Sequence, residues 1–427
     1  MLIRVGLAAC VLGAGLVLVP GVPALAAGSD CASVRADATD TVADDDPSAP
    51  LEALDLDRAW EVVRARTGQE PGAGIGIAVV DSGIQRISGI PQASGQVDVT
   101  GSPGAPIYFH GTDVAGVVAG APRPAAQGGD PIGIAPGATL ADVKVYEAPT
   151  AADTDEAVPL TSDLVARGLR GILGAVREGA IRIVVVALAV PRTPELDDAV
   201  AAITDAGGIL VASAGNRPAE GEFGADEADG LRDAADLFWP AGYSRTDPLV
   251  VTAGTTGAVD GDGVADYGTV LPSSAITVAV PTAGVDSYAL DGSPCTNAAI
   301  STSAAAGEVA GVLALLAQVF PGDTPRQLVA RLVATAAGQP GASGASDLRL
   351  GAGVVQPVDA LTRPLEIKRD GAQRPVASPP PARPVVLPPP PPDVLAGTRR
   401  SAVWWGAVGL TGLVVALVLR PLLTRRR

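Results

Sequence analysis

The sequence predicts an α/β fold with a mostly parallel central sheet flanked by helices, followed by one C-terminal transmembrane helix. Four short apolar runs, at residues 75–80, 183–186, 208–212 and 249–252, are separated by helix-like stretches. Buried strands of a parallel sheet have continuous apolar sequences of this kind, because both faces of the sheet are covered. Near the C-terminus, residues 402–419 form a stretch of 18 residues without a charge, which is long enough for a membrane-spanning helix.

The composition of the 427-residue chain excludes several classes of function. Hydrophobic residues make up 47% and charged residues 18% of the chain, which is typical of a globular protein with a large core. The net charge of −16 repels a phosphate backbone, so we expect no nucleic-acid partner. The chain has one histidine, His110, and 3 cysteines, which excludes zinc motifs that need two histidines or four cysteines. We therefore expect neither a metal ion nor a cofactor.

Residues 1–27 have the pattern of a signal peptide. Arg4 precedes an apolar stretch at residues 5–19, and Ala24-Leu25-Ala26 provides the small residues that a signal peptidase recognises. An uncleaved N-terminal anchor is the alternative. The cleavage pattern favours export, and we expect the mature chain to begin after residue 27.

Residues 28–50 are then an N-terminal extension of the mature chain. Cleavage removes Cys10 and leaves Cys31 and Cys295, an even pair in an oxidising compartment. We expect these two cysteines to form a disulfide that ties the extension to the rest of the protein, and two unpaired thiols are the alternative. The sequence leaves open whether the acidic stretch at residues 37–46 blocks a cleft or wraps around the surface.

The C-terminal part of the chain has the layout of a stalk and an anchor. Residues 363–400 are predicted to form a proline-rich linker, residues 401–420 a transmembrane helix and residues 421–427 a basic tail. Trp404 and Trp405 mark one membrane interface, and the arginines of the tail mark the other. Because positive residues favour the cytoplasmic side, we expect a single-pass cell-membrane protein whose main domain is extracytoplasmic and whose C-terminus is cytoplasmic.

Four polar side chains adjoin the predicted strands and helices. Asp81 follows the first apolar run, His110 opens a helix of small residues, Asn216 follows a later strand, and Ser303 precedes an apolar helix. Each has a common structural explanation: a cap or turn for Asp81, a surface or core position for His110, a turn for Asn216 and an N-cap for Ser303. Functional groups in open α/β sheets gather beyond the carboxyl ends of the strands, so we also consider these four as one site.

The order Asp81, His110, Ser303 and the motifs around these residues resemble the subtilisin-like serine proteases over most of residues 51–362. The matching motifs are Asp81-Ser82-Gly83, His110-Gly111-Thr112-x-Val114-Ala115-Gly116, Gly133-Ile134-Ala135-Pro136-Gly137-Ala138, Ser213-Ala214-Gly215-Asn216 and Thr302-Ser303-x-Ala305-Ala306. The signal peptide, proline-rich linker and C-terminal anchor are similar in layout to the mycosins, the proteases associated with actinobacterial type VII secretion.

The resemblance implies a subtilisin-like three-layer fold and a serine endopeptidase activity. It implies that His110 is the general base for Ser303, that Asp81 holds the imidazole, and that Asn216 and the Ser303 backbone N–H bind the oxyanion. The implied edges of the substrate cleft are Ala187, Leu188, Ala189, Ser213, Ala214 and Gly215. The implied partners are a protein or peptide substrate and a type VII secretion membrane complex.

Two residues near Ser303 differ from the family pattern, which usually has glycine in place of Ser301 and proline in place of Gly307. If the backbone at residue 301 needs a positive φ, Ser301 is strained, and Gly307 gives up rigidity inside the helix. These differences keep open a different class of function, a subtilisin-like scaffold subunit of a membrane secretion complex with little or no proteolytic activity. An export receptor that binds peptides without cutting them is a third alternative.

Residues 260–266 contain carboxylates at a spacing that is similar to a calcium-binding loop. They lack the late glutamate of an EF-hand loop, which supplies two oxygen ligands to the ion. We therefore favour a hairpin turn at this position over a calcium site.

Overall fold

The computed structural model describes residues 30–33, 47–123, 129–149, 157–218, 223–228, 230–259, 265–268, 270–297, 299–337, 347–373 and 394–424. The chain divides into two compact units, Met1–Arg374 and Pro375–Arg427. The predicted signal peptide lies outside the described residues, as does most of the proline-rich linker. The domain boundaries at these places stay predictions.

A seven-stranded parallel sheet forms the centre of the first unit, with the strand order β2-β3-β1-β4-β5-β6-β9. Four of its strands coincide with the four apolar runs, which confirms the predicted fold class. Two further pairs, β7-β8 and β10-β11, are antiparallel. The strands are β1 (Gly76–Asp81), β2 (Gln92–Asp98), β3 (Thr139–Lys144), β4 (Ile183–Val186), β5 (Ile209–Ser213), β6 (Val250–Thr255), β7 (Ala258–Val259), β8 (Ala265–Asp266), β9 (Val278–Val280), β10 (Val285–Tyr288) and β11 (Pro294–Asn297).

Helices cover both faces of the central sheet. In the described part of the first unit they are α1 (Ala49–Ala53), α2 (Leu56–Thr67), α3 (His110–Ala119), α4 (Ser162–Arg177), α5 (Pro194–Asp205), α6 (Thr302–Val319), α7 (Pro325–Thr335) and α8 (Pro357–Thr362). The second unit contains α9 (Ala396–Thr424). As predicted, His110 opens α3.

Alternate residues of β1 show how the two layers of helices are held. Ile77 and Val79 belong to the hydrophobic cluster that contains residues of α2, α3, α6, α7 and α8. Ala78 and Val80 belong to a second cluster, with residues of α4 and α5. Full burial of a valine or isoleucine side chain contributes about 1.5–3 kcal/mol, so the continuous apolar sequence of this strand stabilises both layers.

Among the residues that the structure describes, two helices are long and apolar enough to cross a membrane. Residues Thr302–Val319, which form α6, are 83% buried inside the first unit, so α6 is a core helix. Residues Ala396–Arg420 of α9 are not buried, and they form the candidate membrane span. The helix begins at Ala396 and ends at Thr424, so it is longer than the predicted 401–420.

Gly307 allows α3 and α6 to pack closely. A Cβ atom at this position would lie 2.9 Å from Cγ1 of Val117 and 3.4 Å from the carbonyl oxygen of Val114. A glycine at position 307 therefore allows the close contact between the two helices. This contact matters for the site because α3 carries His110 and α6 carries Ser303.

Strands β7 and β8 are the two arms of the hairpin predicted around residues 260–266. Ala258 pairs with Asp266 and Val259 pairs with Ala265. The turn itself, residues 260–264, lies outside the described residues. Among the residues that the structure describes, no group of three or more His, Cys, Asp or Glu side chains could hold a metal ion.

Cys31 and Cys295 form a disulfide, with 5.0 Å between their Cα atoms, as predicted. Both side chains are buried, and Cys295 lies on β11. A backbone bridge between Asp30 and Thr296 lies beside the disulfide. The crosslink joins the N-terminal extension to the rest of the first unit across a sequence separation of 264 residues.

We expect the double substitution Cys31→Ser, Cys295→Ser to lower the free energy of unfolding by about 2–5 kcal/mol, because it removes a crosslink that limits the unfolded chain. Thermal denaturation of the full chain in detergent measures the loss. The matched control is the wild-type protein under reducing conditions, which should gain the mass of two hydrogens and unfold like the variant. Equal stability of the oxidised wild type and the variant would contradict the prediction.

Candidate active site

The parallel strands place the predicted site residues at one edge of the sheet. Asp81 is the last residue of β1, and Ser213 is the last residue of β5, three positions before Asn216. The helices α3 and α6 begin at His110 and Thr302. Because the carboxyl ends of parallel strands lie at the same edge, the four candidate side chains come together there.

Asp81 is held by three donors. Its side chain is 1% exposed and accepts hydrogen bonds from the backbone N–H of Ser82 at 2.7 Å and from the hydroxyl of Tyr146 at 3.2 Å. Nδ1 of His110 lies 2.8 Å from Oδ1 and 3.0 Å from Oδ2 of the same carboxyl group. A carboxylate at Nδ1 selects the imidazole tautomer in which Nδ1 donates and Nε2 accepts.

The second ring nitrogen of His110 faces Ser303. Nε2 lies 3.0 Å from the Ser303 hydroxyl, and this hydroxyl also lies 3.2 Å from the carbonyl oxygen of Ala187. A hydroxyl has one proton to donate, so the two acceptors compete for it. When the proton points at Nε2, the three side chains form one continuous series of hydrogen bonds from Asp81 to Ser303.

The pKa of His110 is raised above its ordinary value of 6.5. Burial of the ring disfavours its charged form, but the charge of Asp81, the hydrogen bond to Asp81 and the charge of Asp113 together outweigh this effect. Burial also raises the pKa of Asp113, whose carboxylate accepts a hydrogen bond from Nδ2 of Asn297 at 2.7 Å. The site therefore stabilises the imidazolium that forms when His110 accepts a proton.

Ser303 lies in the first turn of α6, but it is not the N-cap. The N-cap is Ser301, whose side chain accepts a hydrogen bond from the Ser303 backbone N–H at 3.2 Å. The structural explanation of Ser303 as an N-cap is therefore wrong. Ser301 has φ −136° and ψ 131°, which is ordinary extended backbone, so the strain considered for this residue is absent.

The amide of Asn216 is fixed by the residue that precedes Ser303. Its Oδ1 accepts hydrogen bonds from the backbone N–H of Thr302 at 3.2 Å and from the Thr302 hydroxyl at 3.1 Å. The same hydroxyl accepts a bond from the N–H of Gly215 at 3.1 Å. With its oxygen engaged, the amide is left with Nδ2 as its donor to a ligand.

Gly215 has a backbone that only glycine adopts easily, with φ 105°. A Cβ atom at this position would lie 2.1 Å from the ring of Phe238. Glycine therefore lets the chain turn over this ring and brings Asn216 to the side of α6. The sequence motif included Gly215, but only the structure shows the ring that requires it.

A cleft of about 220 Å³ opens in front of these groups. Of the predicted cleft residues, Ala187, Leu188, Ala189, Ser213 and Gly215 line it, together with His110, Asn216 and Ser303. Ala214 is not among the residues that line the cleft, and it is buried, with 1% of its surface exposed. The aromatic side chains in the lining are Tyr108, Tyr146, Phe223 and Phe238.

Sequence reasoning missed Tyr146 and Asp113. Tyr146 follows β3, which ends at the same edge of the sheet as β1, and this position was a usable signal. Asp113 lies in the first turn of α3, and residues three apart on a helix share a face, so its proximity to His110 was also predictable. The role of Thr302 in holding Asn216 has no signal of this kind, since it depends on two distant segments.

The arrangement joins a hydroxyl, an imidazole that accepts its proton, a buried carboxylate and an amide donor. Such a set activates the hydroxyl for attack on a carbonyl carbon and offers a donor to the negative oxygen that results. The fold and the site together define a serine hydrolase of subtilisin-like architecture.

Comparison with known proteins gives the family. The model of the subtilase family, Peptidase_S8, matches residues 72–353. Mycosin-1 of Mycobacterium tuberculosis is 30% identical over 328 residues, which cover 68% of this chain and 69% of that protein. The chain belongs to the subtilase family of serine endopeptidases, and its similarity to mycosins confirms the resemblance found in the motifs.

Solved structures agree with this assignment. The chain is 26% identical to a structure described as a serine protease MycP1, an essential component of the type VII (ESX-1) secretion system, with a TM-score of 0.55 over 79% of this chain and 92% of that chain. A chain of an intact ESX-5 inner membrane complex has a TM-score of 0.58 at 22% identity, over 93% of this chain and 94% of that one. The second likeness shows the fold, and both confirm the predicted subtilisin-like architecture.

Replacing Asp113 by asparagine tests the electrostatics of the site. The imidazole must be neutral to accept a proton, so activity falls as the pH drops through the His110 pKa, and the raised pKa places this acid limb above 6.5. Removal of the Asp113 charge lowers the pKa of His110 and moves the limb to lower pH. The measurement is the rate at which a fluorophosphonate probe labels Ser303, as a function of pH.

Asp142→Asn is the matched control for this experiment. Asp142 is also buried, but its carboxylate accepts hydrogen bonds from the Ile84 N–H and from Gln96 on β2. An acid limb that stays in place in Asp113→Asn, or that moves equally in Asp142→Asn, would show that the Asp113 charge does not act on His110.

Proposed function

We propose that this chain is a membrane-anchored, extracytoplasmic serine endopeptidase of the mycosin type that acts with a type VII secretion system. The observation that carries the proposal is the position of His110. It is the only histidine of the chain, and its two ring nitrogens lie 2.8 Å from Asp81 and 3.0 Å from Ser303.

The first chemical step is attack by Ser303. Its Oγ adds to the scissile carbonyl carbon of a peptide while Nε2 of His110 takes the hydroxyl proton. The imidazolium forms next to the Asp81 carboxylate, which stabilises the positive charge and keeps the ring in place. The bonds from Ser82 and Tyr146 keep the Asp81 carboxylate oriented through this step.

The tetrahedral intermediate places a negative charge on the former carbonyl oxygen. Nδ2 of Asn216 and the backbone N–H of Ser303 are the donors to this oxygen, and loss of one such donor costs about 3 kcal/mol in enzymes of this kind. His110 then gives its proton to the leaving amine, and the peptide bond breaks. Water hydrolyses the acyl-enzyme by the same steps, with His110 again as the base.

The substrate is a protein or peptide bound in extended conformation. Segment 187–189 follows β4, and segment 213–215 begins at the last residue of β5. We propose that the substrate backbone pairs with these segments as an added strand. Four residues of these segments that line the cleft have small side chains: Ala187, Ala189, Ser213 and Gly215. Small side chains at the edges leave room in the cleft for a partner strand.

The membrane anchor and the secretion partner are part of the same proposal. Helix α9 carries Trp404 and Trp405 near its beginning, and the arginines of residues 421–427 follow it, so we place the C-terminus in the cytoplasm. We take the predicted linker, residues 363–400, as the connection between the protease domain and the anchor, with its last five residues, 396–400, forming the beginning of α9. The similarity to MycP1 and to a chain of an ESX-5 inner membrane complex supports association with a secretion complex at the membrane.

A scaffold subunit with little or no proteolysis is the second candidate function. The observation that favours it is the bond between the Ser301 side chain and the backbone N–H of Ser303, because this N–H is one of the two oxyanion donors of the proposed mechanism.

Labelling by a fluorophosphonate probe separates the two functions. We expect the full chain in detergent to be labelled, and the rate to fall at least about 10⁴-fold in Ser303→Ala and in His110→Ala, because a triad loses its action when either member is removed. In-gel fluorescence after timed exposure to the probe measures the rate.

The matched control is Ser274→Ala, since Ser274 is an exposed serine that does not line the cleft. A folded wild-type protein that is not labelled would refute the endopeptidase. Labelling that persists in His110→Ala would refute the mechanism, because the chain has no other histidine.

The topology has its own test. We expect a site-specific protease, added outside intact cells, to release the first unit when its recognition sequence is inserted after Gln373. The same sequence inserted after Thr424 should be protected, because that end is proposed to be cytoplasmic. Immunoblotting of the released and membrane fractions gives the result, and the opposite pattern would reverse the orientation.

A further inference from the structure

The N-cap of α6 differs from the other side-chain caps of the described helices. In α4, α5 and α7 the caps Thr161, Thr193 and Thr324 each bond the backbone N–H three residues further along the chain. In α6 the Ser301 side chain bonds the N–H two residues further along, which belongs to Ser303. The cap of this helix therefore engages the backbone amide of the nucleophile.

This bond occupies a group that the proposed mechanism needs. The Ser303 N–H has to point at the oxyanion, and electrostatic catalysis is strongest when such donors are already free and oriented before the reaction. Here the amide has a partner in the resting state. The oxyanion can gain this donor only after the Ser301 hydroxyl gives it up.

We propose that Ser301 is a positioning residue that holds the Ser303 amide in the resting enzyme and slows attack by the nucleophile. This inference rests on the proposed function, because it concerns the oxyanion of the same reaction. It gives a physical reason for a slow protease with an intact triad, in which the site is complete but one donor is engaged.

The backbone around Ser301 is held on both sides. Its N–H donates to the Thr282 hydroxyl at 3.4 Å, and its carbonyl accepts from the Ala305 N–H at 3.3 Å as the first bond of α6. The Ser303 amide is therefore released by rotation of the Ser301 side chain about χ1, without a change in the backbone. A residue without a hydroxyl at this position leaves the amide free at all times.

Ser301 can be changed without altering the cleft, because it is not among the cleft-lining residues. Ser301→Gly and Ser301→Ala both remove the hydroxyl, but only the glycine variant also makes the backbone more flexible. If both variants change the labelling rate equally, the change is caused by loss of the hydroxyl and not by backbone flexibility. Ser301→Thr keeps the hydroxyl. Thr193→Ala is the matched control, because it removes a side-chain cap from α5, away from Ser303.

The experiment measures the second-order rate of fluorophosphonate labelling of the full chain in detergent, with the melting temperature as a check of folding. We expect Ser301→Gly and Ser301→Ala to be labelled about two- to tenfold faster than the wild type. This factor corresponds to the net free-energy contribution of one hydrogen bond between neutral groups. Ser301→Thr and Thr193→Ala should keep the wild-type rate. A purely structural cap would change the melting temperature and leave the rate where it was.

Unchanged rates in folded Ser301→Gly and Ser301→Ala overturn the inference while the wild-type labelling still supports the endopeptidase. A fall in rate also overturns it, since the hydroxyl would then be a donor to the oxyanion. If neither the wild type nor the two variants are labelled, the proposed function fails as well. Labelling of Ser301→Gly but not of Ser301→Ala also overturns the inference, because the gain would then come from backbone freedom and not from loss of the hydroxyl. Labelling of both variants without labelling of the wild type supports the inference, provided that adding His110→Ala abolishes it.

Discussion

The structure depends on one buried charge, the carboxylate of Asp81. A carboxylate that is almost fully removed from water is stable only when donors surround it, and its donors come from its own strand end, from α3 and from the segment after β3. These three segments meet at one edge of the sheet because the strands are parallel. Because the Asp81 carboxylate needs these hydrogen-bond donors, His110 is held on one side of it and Tyr146 on the other. Ser303 then contacts the second nitrogen of the His110 ring.

Close packing of small residues allows the two site helices to meet. Gly307 of α6 brings its helix near Val117 of α3, so His110 and Ser303 approach each other from two helix starts. The same helix carries Glu308, which is fully buried and whose two carboxyl oxygens have no hydrogen-bond partner in the described structure. Burial raises the pKa of this carboxyl well above its usual range, so Glu308 is held in its neutral form.

The strands and the positions of Asp81, His110 and Ser303 at one edge of the sheet were predictable because each has a local signature. The runs that form β1, β4, β5 and β6 are continuously apolar, and His110 opens a helix of small residues. Contacts that depend on side-chain direction were not predictable. The cap of α6 is Ser301 instead of Ser303, Ala214 is buried beside the cleft residues, and the bond from Tyr146 to Asp81 requires the three-dimensional register of β1 and β3.

The disulfide between Cys31 and Cys295 has a consequence for processing of the chain. A single cut anywhere in residues 34–46 would separate the N-terminal piece from the rest of the sequence but not from the molecule. The product would be a two-chain protein whose short chain stays bonded to β11, and the two chains would part on a gel only after reduction. A new N-terminus found by sequencing would therefore be no proof that the preceding segment has left.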